Sequence, residues 1–574
     1  MNRRQLLAST AVLIMPLSRI SAATARPVGA DTPWMRYQAQ AMKTTGIVLG
    51  PTYGPFKIEN EASHQTCVKL EKPGDTLSFK VETAANSLVL RYCLPDAPEG
   101  GGVEDRMEVQ VNGKKAGEIA LTSRYTWLYG EYPFTNDPKD GKPRHFFDDA
   151  IMRGLSLAAG DVVTLVKTGQ AAFCIVDFAD LEQAPPLLPA PPGAVSLTDF
   201  GADGRGARDD TEALRALLAR AARENRIAYV PPGDYKLTGD IELPSQVTLQ
   251  GAGMWHTRFV GDAQLYPDAG RRLRFKLTGE KSRLCDFALI GKLTCRNDSE
   301  QNDGVFGADG RDCTVSRLWI EHTKVGMWFY LCKGMRIEGC RLRNTFADGI
   351  NLCVDTRDCV IENCSARNTG DDGFAIWPAP SDQGFDQVAA APGGNLIRRC
   401  TAELPFLAQG AAIYGGASNR IEDCLFSDIA SGCGILISTT FPTTDASRDN
   451  NFSGLTVVEN CRLVRCGGYD HGWTWRGAFQ ICLHRKDIAG LRLRDLSIED
   501  SLSDGFSIIT APDAKGRRLS DALFERISIT RSGRAVPGRP DVFIADGVGG
   551  AAQFNASRMG TIENTATGFS LTRS

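Results

Sequence analysis

Three aspartates near the middle of the chain have spacing that turn chemistry alone does not call for. In NTGDDGFAIW, residues 368–377, Asp371 and Asp372 sit side by side between Gly370 and Gly373. In TFADGINL a third, Asp348, precedes Gly349. Adjacent carboxylates repel, and a turn needs only one Asp. Three carboxylates crowded together cannot all stay ionised comfortably, so at least one is pushed to hold a proton. A protonated carboxyl beside ionised ones suits glycosidic bond hydrolysis, which needs an acid for the leaving oxygen and a base for water. Whether the three meet depends on the elements that carry them.

Those elements are periodic. From about residue 284 a short phrase recurs: MRIEGC, CVIENC, NLIRRC, NRIEDC and VVENC. The cysteines that end these phrases, Cys340, Cys364, Cys400, Cys424 and Cys461, are spaced by 24, 36, 24 and 37 residues. Phe287, Leu318, Leu496 and Ile527 continue the column outward. A unit of 22–24 residues, sometimes enlarged by about a dozen, marks a solenoid. The units alternate as strands do and show no helical period, which predicts an all-β chain built on a right-handed parallel β-helix. Asp348 lies eight residues after Cys340, and Asp372 eight after Cys364. The two therefore occupy equivalent positions on consecutive coils, about 4.8 Å apart at the backbone, with Asp371 beside them. The chain has 17 cysteines, an odd number, and no CxxC pair. They read as small buried core residues with free thiols.

Further candidates lie in and around the enlarged units. Long insertions follow Trp377 and Ser438 and surround Trp473, and insertions along one side of a solenoid build cleft walls. Trp377, Tyr414, Trp473 and Trp475 can stack on sugar faces. His484 and Arg485, in QICLHRKD, are candidate polar contacts to substrate.

The rest of the chain sets the frame. With 574 residues and a net charge of −3, it is too long for one ordinary core and lacks the basic balance of a nucleic-acid binder. Residues 1–25, MNRRQLLASTAVLIMPLSRISAATA, read as a signal peptide with a twin-arginine pair and an A-x-A cleavage site. No later run is long enough to span a membrane. The expectation is a secreted or periplasmic bacterial monomer. Residues 40–184 carry short alternating runs such as TLSFKV, SLVLRYCL and VVTLVKTG, the pattern of a β-sandwich. PPLLPAPPG, residues 185–193, reads as a stiff linker. The solenoid is expected over 194–550, opening with a helix capped by Asp209 or Asp210 whose Leu214, Leu217, Leu218 and Ala221 share one face. Residues 551–574 read as a C-terminal tail.

The stretch TDFGADGRGARDDTEALRALL followed by YVPPGDY resembles the opening of the pectate-lyase-like (pectin-lyase-like) parallel β-helix superfamily. Asp348 with Asp371-Asp372 in RNTGDDGFAIW resembles the catalytic aspartates of glycoside hydrolase family 87, the α-1,3-glucanases and mycodextranases. Families 28 and 49 share a similar arrangement, but the GHG and RIK motifs of polygalacturonases are absent. The resemblance implies a secreted inverting hydrolase of an α-glucan, either α-1,3-glucan or nigeran, with no cofactor in catalysis. Within the trio, Asp371 is expected as the acid and Asp348 with Asp372 as the base. In the N-terminal region, IENEASHQTCVKL, SRYTWLYGEYPFTN and IVDFADLE resemble a family 35 carbohydrate-binding module. That implies a separate glucan-binding domain and a structural calcium held by Glu59, Glu61 and Asp177. Two other functions remain open from the sequence. One is a polysaccharide lyase whose aspartate column holds calcium, and the other is a non-catalytic solenoid that binds a polysaccharide.

Overall fold

The computed structural model describes residues 27–378, 392–441, 452–470, 472 and 474–574. The expected signal peptide lies outside the described residues. Among those described, no helix is long and apolar enough to cross a membrane.

The N-terminal region is a sandwich of two antiparallel sheets. One sheet contains Cys174–Glu182, Ala85–Cys93 and Asp148–Leu157, and is extended by Trp34–Gln38. The domain therefore begins earlier than the expected residue 40. The other sheet runs through Thr76–Lys80, Val162–Lys167, Glu104–Val111 and Lys114–Thr122. Alternating apolar residues (Leu88, Leu90, Met107, Val109, Val163, Leu165) meet between the sheets, as period-two patterning requires.

The strand Cys174–Glu182 is buried on both faces. Its register shifts at a bulge between Val176 and Phe178. This keeps Val176, Ala179 and Leu181 in the sandwich core, while Asp180 and Glu182 face the rest of the chain.

The Pro-rich stretch carries no strand or helix and leads into the helix Thr211–Glu224. Leu214, Leu217, Leu218 and Ala221 are buried as expected. Of the two candidate caps it is Asp209 that acts, accepting from the Thr211 amide at 3.0 Å. The helix closes the first coil of a parallel β-helix built on one 24-stranded and one 12-stranded sheet. Successive coils stack in strict register, with Ile337 beside Ile361, then Ile397, Ile421 and Val458. On the other sheet Leu352, Ile376, Ile413, Ile437 and Ile481 do the same.

All five column cysteines are buried to 1% exposure or less. Each follows an equivalent strand by two residues, and its thiol meets the carbonyl two residues earlier at 3.1–3.4 Å. All 17 cysteines are free. The solenoid continues past residue 550: Gly549–Asn555 pairs in parallel with Gly568–Arg573, and Val542–Ile544 with Ile562–Asn564. Residues 551–574 are thus a final coil, not a tail. Short strands separated by polar turns gave no periodic signal there.

The two units are locked together by buried ions. On the outer face of the β-helix, Glu321, Arg343, Arg367 and Glu403 form one ladder of neighbours, and the sandwich covers it with acids. Arg367 bonds Asp149 at 2.7 Å and Asp180 at 2.8 Å. Arg36 bridges Asp180 at 2.8 Å and Glu403 at 2.6 Å. Arg341 meets both oxygens of Glu182 at 2.8 Å. Arg343, next to Arg367 on the ladder, is pushed down to about 9 by burial first and then by Arg367. A separable binding module would not carry these acids on its own surface. Removing one partner of a buried hydrogen-bonded charge pair costs about 3–5 kcal/mol. Arg367→Met should therefore lower unfolding stability in urea by that amount, and a loss below about 1 kcal/mol would show that the network is not what joins the units.

Candidate functional site

Asp348 and Asp372 each end the turn before a strand of the 12-stranded sheet, Ile350–Cys353 and Phe374–Trp377. Those strands pair Ile350 with Phe374, and the Gly349 amide donates to the Asp372 carbonyl at 3.0 Å. The two aspartates are stacked, as their equivalent spacing requires. Glycine follows each because the coils approach closely: a Cβ on Gly349 would lie 2.4 Å from the Gly373 carbonyl. The Asp348, Asp371 and Asp372 carboxylates come together, with an oxygen of each within 4.8 Å of the others.

Their surroundings differ. Asp348 is 6% exposed and Asp372 2%, while the Asp371 side chain is 25% exposed at the cleft floor. Asp372 accepts from the Gln409 amide at 3.1 Å and the Tyr414 hydroxyl at 2.8 Å. Asp371 accepts from its neighbour's amide at 3.1 Å and from Arg296 Nη1 at 2.7 Å. Burial first, and the Asp371 charge second, hold the Asp348 and Asp372 carboxyls well above the usual carboxylate range. Burial, then the charge of Asp372, likewise raises the Tyr414 phenol. Lys324, also in the cleft, is pushed down to about 8 by burial.

The trio lines an open cleft of about 720 Å³, whose walls include Trp328, Tyr330, Trp377, Tyr414, Phe441 and, from the sandwich, Tyr132. Trp377 packs edge-on against Trp328 at 5.5 Å and Phe441 at 5.6 Å. Its indole N–H is buried and has no partner among the described residues. Such a cleft, with aromatic walls and a few convergent polar groups, has the composition of a small-ligand or sugar site.

Not every expected residue is there. Trp475 packs against Tyr469 at 5.5 Å and does not line the cleft. His484 and Arg485 line a separate polar depression with Asp513, Lys515 and Arg517. Trp473 lies outside the described residues. Conversely, Arg296, Lys324, Trp328 and Tyr132 belong to the site and escaped the sequence reading. Each sits in an irregular segment or on a strand whose outward residues look like any surface.

The expected calcium ligands do not fit the ion. Calcium wants six to eight converging oxygens. Asp177 is committed to Arg91 at 2.5 Å and to the Ser63 amide and hydroxyl. Glu61 faces the His145 and Phe146 amides, and burial pushes it up to about 7. Among the described residues these side chains and Glu59 share no common point.

Comparison with known proteins agrees with this architecture. Residues 31–184 match the family described as alpha-1,3-glucanase catalytic domain D1, and residues 210–486 the one described as alpha-1,3-glucanase catalytic domain D2. The catalytic unit of a thermostable GH87 alpha-1,3-glucanase from Streptomyces thermodiastaticus strain HF3-3 is 28% identical. It covers 95% of this chain and 96% of its own, with a TM-score of 0.77. A GH87 alpha-1,3-glucanase catalytic domain in complex with nigerose is 22% identical over 95% of this chain and 99% of its own, with a TM-score of 0.81. Variants of a GH87 alpha-1,3-glucanase catalytic domain carry alanine in place of an aspartate at three positions, spaced from one another by 23 residues and by one. A mannuronan C5-epimerase of Azotobacter vinelandii, AlgE3, is 27% identical over 251 residues, 40% of this chain. The match spans 14% of the epimerase's own length.

The raised carboxyls predict how stability depends on pH. A carboxyl held above its unfolded value favours folding while protonated, and that contribution is lost as pH rises through the folded value. The double variant Asp348→Asn, Asp372→Asn should therefore gain on the wild type in thermal unfolding between pH 4 and pH 8. A constant difference across that range would mean the two carboxyls are not held protonated.

Proposed function

This chain belongs to the α-1,3-glucanase family of glycoside hydrolases, and from that premise we propose that it cleaves α-1,3-glucosidic bonds with Asp348, Asp371 and Asp372. The observation that carries the proposal is the convergence of the three carboxylates at the floor of a cleft walled by aromatic side chains. The spacing of the trio, 23 residues and one, equals that of the aspartates replaced in the GH87 variants. Family membership sets aside both the lyase and the binding-only readings. Residues 1–25, which read as a twin-arginine leader, support a hydrolase that works outside the cytoplasm.

In this mechanism a glucan chain lies along the cleft with its sugar faces on Trp377 and Trp328. Asp371, the exposed member, reaches the glycosidic oxygen and protonates it. Asp348 and Asp372, stacked on adjacent coils, hold a water between them, and the member of the pair that is ionised takes its proton as it attacks the anomeric carbon. Attack from the face opposite the leaving group inverts the centre, so the α bond yields a β product. A second reading is favoured by the Arg296–Asp371 contact at 2.7 Å, because the guanidinium occupies an Asp371 oxygen, while burial holds the other two carboxyls well above the usual carboxylate range. In that reading Asp372 is the acid and Asp371 the base.

Each Asp→Asn variant should lower turnover of α-1,3-glucan at least about a hundredfold, the scale of general acid–base catalysis, with thermal unfolding still cooperative. Proton NMR of the first products should show the β-anomer. An α-glucosyl substrate with a leaving group that needs no proton should restore activity to the acid variant alone. Rescue of Asp371→Asn supports the first reading and rescue of Asp372→Asn the second. Full activity in all three variants would remove the trio from the mechanism.

A further inference from the structure

Arg296 is the one cation in direct contact with the trio among the described residues, and the β-helix repeat does not position it. The strand Arg283–Ile290 ends before it and the strand Gly304–Ala308 begins after it, leaving Arg296 on an irregular stretch between coils. The sandwich holds that stretch. Asn136 Nδ2 donates to the Thr294 carbonyl at 2.9 Å, and the Cys295 thiol meets the Phe134 carbonyl at 3.6 Å. The Tyr132 hydroxyl donates to Asp298, which in turn accepts from Arg296 Nε at 2.5 Å. The Arg296 guanidinium lies 5.3 Å from the centre of the Tyr132 ring. Its Nη1 then reaches the Gly370 carbonyl at 3.1 Å and Asp371 at 2.7 Å. With its side chain only 10% exposed, a guanidinium must be paired on every side. Tyr132 and Asp298 supply the side that faces away from Asp371.

We propose that Arg296 is a positioning residue through which the sandwich domain sets the protonation of the aspartate trio, so that the loop around Tyr132 is part of the catalytic apparatus. The proposal rests on the hydrolytic reading of the trio and adds a control element to it. The charged and titratable groups facing the pair are Asp348 and Asp372 from the neighbouring coils, Tyr414 and Lys324 across the floor, Asp298 and Glu300 on the irregular stretch, and Tyr132 from the sandwich. Arg274 and Lys276 also line the cleft. Among the described residues, only Arg296 touches a carboxylate of the trio with a full positive charge. It bonds Asp371 at 2.7 Å and lowers the proton affinity of Asp348 through space. An opposite charge this close shifts a carboxyl by roughly 1–3 pH units. Its loss raises the proton affinity of the whole cluster, whichever aspartate is the acid, so both limbs of the pH profile move to higher pH.

The test uses the full chain and a soluble α-1,3-linked glucose tetrasaccharide, with kcat/KM measured against pH for the wild type, Arg296→Gln, Arg296→Lys, Tyr132→Ala and Tyr132→Phe. Arg296→Gln should move both limbs upward by about one pH unit, and Arg296→Lys, which keeps the charge, should bring them back toward the wild type. Tyr132→Ala should move them the same way by less, and Tyr132→Phe, which keeps the ring, less again. A fall in rate at every pH with unmoved limbs in Arg296→Gln is what a merely structural role gives, and it overturns the proposal. Limbs in Tyr132→Ala that superimpose on the wild type overturn the part assigned to the sandwich. If the wild type does not hydrolyse the tetrasaccharide, the hydrolytic reading fails, and carbon-13 titration of labelled aspartate carboxyls decides the inference without turnover. The resonance missing in Asp348→Asn should then titrate at higher pH in Arg296→Gln than in the wild type, and an unchanged titration overturns the proposal.

Discussion

The hydrogen bonding between successive coils is the constraint on which the rest depends. Parallel strands held about 4.8 Å apart put each residue directly above its equivalent, and like stacks on like. For Ile361 between Ile337 and Ile397 this builds a continuous apolar column whose burial is the main source of stability. The cysteine column uses the same rule with a smaller side chain whose thiol donates to a nearby carbonyl. Where the repeated residue is an aspartate, the rule brings two carboxyls together that would otherwise move apart. The stacking that stabilises the core creates the proton-holding cluster in the cleft.

A repeat that stacks like charges must find counter-charges from outside its column, and in both the outer ladder and the cleft the sandwich either supplies or holds them. Arg343 and Arg367 are neighbours on the outer ladder, and the acids that pair Arg367, Asp149 and Asp180, come from the N-terminal sheet. In the cleft the problem is inverted. Three acids need a cation, and the one they receive is held by a loop of the same sandwich through Tyr132. The bulge at Asp177, which turns Asp180 and Glu182 outward, serves the first arrangement.

The periodic part of the molecule was open to reading from the chain. A count of 24 residues between Cys340 and Cys364, and of eight from each to its aspartate, is enough to place Asp348 over Asp372, because the register of a coil is a local property repeated along the chain. The helix face of Leu214, Leu217, Leu218 and Ala221 was legible for the same reason. What the count could not reach was anything off the repeat. Tyr132 meets Asp298 across 166 residues of sequence, and no local pattern announces that pairing. His484 and Trp475 had suitable types but lie outside the cleft, since the register fixes a residue's height along the axis and not the direction of its loop. The sequence by itself therefore determined the coil, its core and the meeting of the two stacked aspartates. Tertiary packing alone decided the charge balance of the site, because the cation and the ring that holds it arrive from segments that only the docking of two domains brings together.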